Sequence, residues 1–114
     1  MGKPNVCTSL VVLGVHRDGG FSEYVVVPAQ NCWLVPDTVP DRHAVMVEPF
    51  TIAANVTGQV KPTAQDIALV FGAGPMGLTT IQVLKRVYRV KQVIVTDQID
   101  ERLQMAKRNG ADWT

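Results

Sequence analysis

Residues 67–97 limit the fold of this 114-residue chain more than any other segment. The apolar run IALVF at 67–71 leads directly into GAGPMG at 72–77, and an apolar segment ending in basic residues follows. A short apolar run bounded by glycine is typical of a buried strand. Pro75 fits the first turn of a helix, where its missing N–H leaves no hydrogen bond unmade. The segment therefore predicts a strand, a tight turn and a helix.

The glycines in this turn are spaced as they are in turns that bind a dinucleotide pyrophosphate. Gly72 would allow the sharp turn, Gly74 would let backbone N–H groups approach the phosphates, and Gly77 would let the helix pack closely on the strand. Pro75 and Met76 would start the helix at the pyrophosphate, because its unpaired N–H groups and macrodipole favour an anion there. These five residues are the predicted cofactor-binding turn.

A second predicted strand at 92–96 ends at Asp97, twenty residues after Gly77. Dinucleotide-binding folds place an acid at this distance, where it accepts hydrogen bonds from the adenosine ribose hydroxyls. Because an acid there repels a 2′-phosphate, the sequence favours NAD over NADP. FAD-binding proteins and methyltransferases share parts of the pattern, and a glycine-rich connection in some other α/β protein is the simplest alternative.

Composition and charge exclude several other classes of function. The formal net charge is +1, and both signs are interspersed, so there is no basic face for nucleic acid. We see no apolar stretch of transmembrane length and no signal-peptide core. The two cysteines, Cys7 and Cys32, are too few for a disulfide framework. We therefore expect a reduced, cytoplasmic protein that binds neither nucleic acid nor membranes.

The first 40 residues have the character of a β region. Apolar runs at 9–15, 21–27 and 32–35 predict short strands, since turn or proline residues separate them. After the proline-rich segment 36–40, the chain is expected to become helical.

The segment 41–60 predicts a helix with Asp41 as its N-cap and a kink or break near Glu48, caused by Pro49. Glu48 is also the one acid within an apolar helical run. Burying a carboxylate is costly unless it is paired or bound to a metal. Two interpretations stay open: Glu48 reaches solvent because the helix breaks, or it has a functional partner.

The nucleotide unit occupies residues 61–114. Beyond Asp97, a further helix is predicted from about residue 100, with Gly110 near its end, and residues 111–114 lead towards a third strand.

An ordered series of motifs resembles the zinc-dependent medium-chain dehydrogenases, and within them the sorbitol and threonine dehydrogenase branch. The motifs are GGFSEYV at 19–25, VPD at 35–37, VEP at 47–49, GAGPMG at 72–77 and TD at 96–97. The resemblance implies an α/β fold with three parts. Residues 1–40 would be part of a GroES-like catalytic domain, 41–60 an interdomain helical segment, and 61–114 the first part of a Rossmann-type NAD-binding domain.

The resemblance also implies an activity and roles for individual residues. The family uses zinc and NAD to oxidise an alcohol, here a secondary hydroxyl of a sugar acid or polyol. Glu48 would stand at the catalytic zinc, either as a ligand or holding the zinc-bound water. Cys7 would match the fourth cysteine of a structural zinc lobe, and Arg102 would border the adenosine ribose.

The chain lacks the segment that carries the family's cysteine and Gly-His-Glu zinc ligands, as well as the later strands of the nicotinamide half. We therefore expect a fragment that is inactive alone and holds zinc weakly or not at all. Two strands with open edges also predict a homo-oligomer. The alternatives are a module with weak NAD affinity and no chemistry, or a structural remnant that survives only by pairing with another chain.

Overall fold

The computed structural model describes residues 6–114, which divide into two units: residues up to Pro36, and Asp37–Thr114. The elements of the second unit are, in chain order, α1 (Asp41–Ala44), α2 (Val47–Val60), β1 (Ile67–Phe71), α3 (Pro75–Val83), β2 (Gln92–Thr96) and α4 (Asp100–Arg108). A π-helical turn, Leu84–Tyr88, continues α3. In the described residues, no helix is both long enough and apolar enough to cross a membrane.

The three strands expected in the first unit do not form. Residues 6–36 contain turns, an isolated bridge between Leu13 and Arg17, and a short 3-10 helix, Ala29–Asn31. None of these residues is buried. A strand is stable only when neighbouring strands pair with its backbone and cover its apolar face. The predicted segments 9–15, 21–27 and 32–35 have no such neighbours within the described part of this unit.

The helical segment before β1 forms two helices, as predicted, but the break comes earlier than expected. It falls at Val45 and Met46, and Pro49 lies in the first turn of α2. A proline is tolerated there because its N–H would have had no partner within the helix. Asp41 is the first residue of α1 rather than its N-cap, a position that Pro40 occupies; that detail of the prediction is wrong.

The two strands pair in parallel, in a register that runs from Ile67 beside Gln92 to Phe71 beside Thr96. The expected start of a third strand forms a single bridge beside β2. There the N–H of Val95 donates to the carbonyl of Trp113 at 2.8 Å. The connection between the two strands contains α3, which packs against β1.

The core lies on one face of the sheet. Val93 and Val95 of β2 are buried, and their register partners Ala68 and Val70 pack against the same cluster. The helices contribute three more buried side chains, Ile81, Leu84 and Ala106. On the opposite face of β1, Ile67, Leu69 and Phe71 are 56%, 52% and 80% exposed. The second unit therefore has a closed core on one side of its sheet and an open apolar surface on the other.

Asp112 ties the start of β2 to the π-helical turn. Its Oδ2 accepts a hydrogen bond from the N–H of Val93 at 2.6 Å, and it forms an ion pair with the Lys85 ammonium at 3.0 Å. The Val93 bond, more than the lysine, holds the pKa of Asp112 below its ordinary value. The folded chain therefore favours the ionised carboxylate.

We predict that Asp112→Ala lowers the free energy of unfolding by about 1.5–3 kcal/mol at pH 7, the range for a hydrogen bond to a charged group. Because the folded pKa is depressed, this stabilisation is present above the unfolded carboxyl pKa of about 3.9 and is lost as the pH falls through the lower folded value. Urea unfolding across this pH range measures it. Lys85→Ala, which removes the partly exposed ion pair but keeps the Val93 bond, should cost less than about 1 kcal/mol. Equal stabilities of Asp112→Ala and the unchanged chain would contradict the prediction.

Candidate functional site

The glycine turn connects the end of β1 to the start of α3. Gly72 has a φ of +93°, in the left-handed region that glycine adopts without strain. Its N–H donates to the carbonyl of Thr96 at 2.7 Å, which fixes the turn against the end of β2. Gly74 is the N-cap residue of α3, and Pro75 is in the first turn, as predicted. Among the described residues, no side chain caps this helix, so its first N–H groups are available to an anion.

Gly74 and Gly77 meet different demands within this turn. A Cβ at Gly77 would overlap the carbonyl oxygen of Gly72 and touch Val70, so the close packing of α3 on β1 requires glycine there. A Cβ at Gly74 would meet no atom of the described residues within 4 Å. Packing therefore explains Gly77 but not Gly74, which borders open space at the helix start.

Asp97 follows β2, and its carboxylate faces the glycine turn. Oδ2 accepts a hydrogen bond from the N–H of Ala73 at 2.8 Å, and Oδ1 accepts one from the N–H of Ile99 at 3.0 Å. The side chain is only 8% exposed. The Ala73 bond is the main cause that lowers the pKa of Asp97, with smaller contributions from Ile99 and the Arg102 guanidinium. Asp97 is therefore an anion at neutral pH.

Two cavities adjoin the turn, and Arg102 lines both. The first is about 480 Å³ in volume and lies at the strand ends, where Gly72 and Asp97 form part of its wall. The second is about 300 Å³ and lies at the start of α3, beside Gly74 and Pro75. The Arg102 side chain is half exposed, with its guanidinium 3.9 Å from Asp97 Oδ2. The fold thus brings together an acid, a cation and the start of a helix.

A cavity of about 530 Å³ lies elsewhere, among α2, β1 and α3, and its walls include Val56, Leu69 and Leu84. It is larger than either cavity at the turn. Because its walls are mainly apolar and include none of the glycine-turn residues, we assign it to the unfilled packing of the sheet rather than to the site.

The two residues that the resemblance associates with zinc do not form a metal site here. Cys7 is an exposed free thiol in the first unit. Glu48 is exposed in the first turn of α2 and lines neither cavity at the glycine turn. Within residues 6–114, no three potential ligands are grouped around a common point. A catalytic zinc needs three protein ligands, so the described residues do not fit one. The structure agrees with the interpretation in which Glu48 reaches solvent. Its role at a zinc ion stays a prediction.

The sequence pattern pointed to Asp97 as a ribose acceptor but missed its bond to Ala73. The only available signal was that both predicted strands end at the turn, which places an acid after β2 beside the residues after β1. The partner atom depends on the strand register, which the sequence does not specify.

A parallel strand pair, a glycine turn and an acid after the second strand define a dinucleotide-binding α/β unit. No family model matches the chain. It is 69% identical over 113 residues to the starvation-sensing protein RspB of Escherichia coli K12, covering 99% of this chain and 33% of that protein. It is 37% identical over 110 residues to an L-threonine 3-dehydrogenase of Xanthomonas euvesicatoria, covering 96% of this chain and 32% of that one.

Solved structures agree with these relatives. An alcohol dehydrogenase, RspB, of Escherichia coli CFT073, complexed with NADH, superposes with a TM-score of 0.95 at 70% identity, covering 98% of this chain and 33% of that one. A putative zinc-binding dehydrogenase of Sinorhizobium meliloti, bound to NADP, gives 0.85 at 32% identity, covering 96% and 32%. These relatives and structural neighbours are zinc-binding medium-chain dehydrogenases, and the chain spans about a third of their length. The predicted resemblance to them and the predicted Rossmann-type α/β class are confirmed.

We predict that alanine substitutions at Gly77 and Gly74 differ in their effect on the free energy of unfolding. Gly77→Ala should lower the free energy of unfolding by about 1–3 kcal/mol, because the methyl group overpacks against the Gly72 carbonyl. Gly74→Ala should change the free energy of unfolding by less than about 1 kcal/mol, since the methyl group meets open space and the φ of −73° suits alanine.

The Gly74→Ala variant should also bind NADH more weakly than the unchanged chain, because its methyl group occupies the space in front of the helix. Urea unfolding and NADH fluorescence measure the two effects, and unchanged NADH affinity would exclude a role for Gly74 in binding.

Proposed function

We propose that this chain is the NAD-binding part of a zinc-dependent alcohol or polyol dehydrogenase. The observation that carries the proposal is the Asp97 carboxylate, held in ionised form beside a glycine turn at the carboxyl ends of two parallel strands. Ligands of open α/β sheets bind at this edge. The NADH complex of the 70% identical alcohol dehydrogenase supports the same assignment.

Each residue around the turn has a distinct role in this proposal. The carboxylate of Asp97 would accept hydrogen bonds from the adenosine ribose hydroxyls, with Arg102 beside it. The backbone N–H groups of Met76 and Gly77, at the start of α3, would face the pyrophosphate, since no partner for them within the helix lies upstream. The open space at Gly74 would let the phosphates approach. Bound NAD supplies the hydride acceptor.

The charges of Asp97 and Arg102 favour a diphosphate that lies close to the carboxylate without contacting it. The Asp97 carboxylate already accepts hydrogen bonds from two backbone N–H groups, and the half-exposed Arg102 guanidinium lies 3.9 Å from it, so its charge is partly neutralised. A third phosphate, placed on the 2′ position of the adenosine ribose, would come directly against the remaining charge of the carboxylate. This arrangement supports NAD over NADP, although one related dehydrogenase binds NADP.

The substrate proposed for the whole protein is a sugar acid, oxidised at a secondary hydroxyl. Support comes from the sequence of residues 3–27 and 48–60, which is especially similar to bacterial L-galactonate 5-dehydrogenase. Residues 3–5 lie outside the described part of the structure. Because the described residues do not assemble a zinc site, we propose that this chain alone does not catalyse the oxidation. Its free thiols, Cys7 and Cys32, suit the reducing cytoplasm that we propose as its location.

A second candidate is a remnant without catalytic function that binds a nucleotide or forms oligomers. The exposed face of β1 favours it, since apolar side chains there have no cover among the described residues. Formation of NADH from L-galactonate by this chain with added zinc would contradict both the non-catalytic remnant and the proposed inactivity of the chain alone. NADH binding without turnover fits the NAD-binding part of a dehydrogenase, whereas oligomers that bind no NADH would favour the remnant.

We predict that the chain binds NADH more tightly than NADPH and that Asp97→Ala narrows the difference. Repulsion between the carboxylate and a 2′-phosphate a few ångströms away should give a preference of about fivefold or more. Fluorescence titration with both cofactors measures the ratio. Asp100→Ala, which removes an exposed acid in the first turn of α4, is the matched control and should leave the ratio unchanged. Equal affinity of the unchanged chain for NADH and NADPH would show that the ribose assignment is wrong.

We also propose that the chain assembles as a homo-oligomer. In the described residues β1 pairs with β2 alone, and Ile67 and Leu69 are about half exposed on the open face of the sheet. Unpaired edges and uncovered apolar faces promote association with other chains.

Sedimentation velocity at micromolar concentration should show an oligomer. Leu69→Lys should shift it towards monomer, because the ammonium would be buried without a partner in the interface. Val87→Lys, at an exposed apolar residue of the π-helical turn, is the control and should not change the state. A monomer that melts cooperatively would contradict the proposal.

A further inference from the structure

Two successive hydrogen bonds tie the glycine turn to the end of β2. The N–H of Gly72 donates to the backbone carbonyl of Thr96 at 2.7 Å, which continues the pairing of the parallel strands by one step. The next N–H, that of Ala73, donates to Oδ2 of Asp97 at 2.8 Å. At this second step a side-chain carboxylate replaces the backbone acceptor.

The Ala73 N–H depends on this carboxylate. Ala73 is 1% exposed, so water does not readily replace a lost acceptor there. A buried N–H without a partner is costly, and a charged acceptor makes a stronger bond than a neutral one. Among the described residues, Asp97 is the only hydrogen-bond acceptor recorded for this N–H.

The carboxylate is itself held in place by the backbone. Its other oxygen, Oδ1, accepts from the N–H of Ile99 at 3.0 Å, and the side chain is 8% exposed. The Arg102 guanidinium is 3.9 Å away and half exposed, too distant for a hydrogen bond that would orient the acid. Each carboxylate oxygen has two lone pairs. Each oxygen therefore has a second lone pair with which it can accept a hydrogen bond from a ligand hydroxyl while the turn is held.

We propose that Asp97 is also a positioning residue, which holds the glycine turn in its binding shape through Ala73 before any cofactor arrives. The proposal deepens the proposed NAD-binding function and rests on it for its consequence, although the tie to the turn is a property of the free chain. The preference between NAD and NADP and the conformation of the glycine turn then depend on the same carboxylate. A substitution that removes both the charge and the acceptor oxygen, such as Asp97→Ala, admits a 2′-phosphate but also releases the turn, and it lowers affinity for both NADH and NADPH.

Asp97→Asn separates the two roles. The asparagine loses the negative charge but keeps one acceptor oxygen. That oxygen should turn towards Ala73 rather than Ile99, because Ala73 is buried and Ile99 is exposed, so leaving Ala73 unpaired would cost more. Asp97→Ala loses both the charge and the acceptor. Asp97→Glu keeps the charge but carries the carboxylate one methylene too far.

The test is amide hydrogen exchange of the ligand-free 114-residue chain, followed by NMR. In Asp97→Ala, the Ala73 amide should exchange about tenfold faster or more, in proportion to the lost bond, while the core amides of Val93 and Val95 keep their rates. Asp97→Asn should stay close to the unchanged chain, and Asp100→Ala should match it. If Asp97→Ala does not fold, Asp97→Glu replaces it and should also release the Ala73 amide.

Cofactor titrations complete the test. Asp97→Asn and Asp97→Ala should show the same narrowed ratio of NADH to NADPH affinity, but Asp97→Asn should bind each cofactor several-fold more tightly. Unchanged Ala73 exchange in Asp97→Ala would overturn the proposal, whatever the cofactors do. Faster Ala73 exchange in a chain that binds neither cofactor would support the positioning role and overturn the proposed function instead.

Discussion

The register of the parallel pair is the constraint on which the rest of the second unit depends. Phe71 lies beside Thr96, so β1 and β2 end at the same edge of the sheet. Everything at the site follows from this alignment, because the residues just beyond the two strands are then neighbours. The buried Val93 and Val95 fix the register, since a slip of one residue would turn them to the open face and remove them from the core.

A positive helix start and a negative carboxylate lie at the same edge of the sheet. The start of α3 is positive through its free N–H groups, whereas Asp97 is negative. The carboxylate would repel a diphosphate if its charge were bare. Backbone donors at Ala73 and Ile99 partly neutralise it. A site for one anion can therefore contain another, provided that the ligand presents hydroxyls to the carboxylate and phosphate to the helix.

How far the sequence predicted the structure differs between the two units for a physical reason. The segment from Ile67 to Asp97 was predictable because its signals are local: a glycine that needs a positive φ, a proline in the first turn, and a glycine packed against the strand. The predictions of strands at 9–15 and 21–27 were wrong, because strand formation depends on partners that the apolar pattern does not identify. The contact between Asp97 and Ala73 was predictable only in part. The sequence identifies the acid, but its partner follows from the strand register, which the sequence does not specify.

In the proposed function, cofactor binding and metal chemistry are separable, because the glycine turn and Glu48 lie on different elements of the second unit. Gly72, Gly74, Asp97 and Arg102 all stand on the second unit, and the core of that unit is formed by its own helices and strands. Glu48 belongs to the same unit, but it is exposed and has no grouped metal ligands among the described residues. The geometry of the cofactor turn therefore does not depend on whether a metal site is completed. In the proposed function, the preference between NAD and NADP depends on Asp97 and its hydrogen bonds, so it can be examined apart from catalysis.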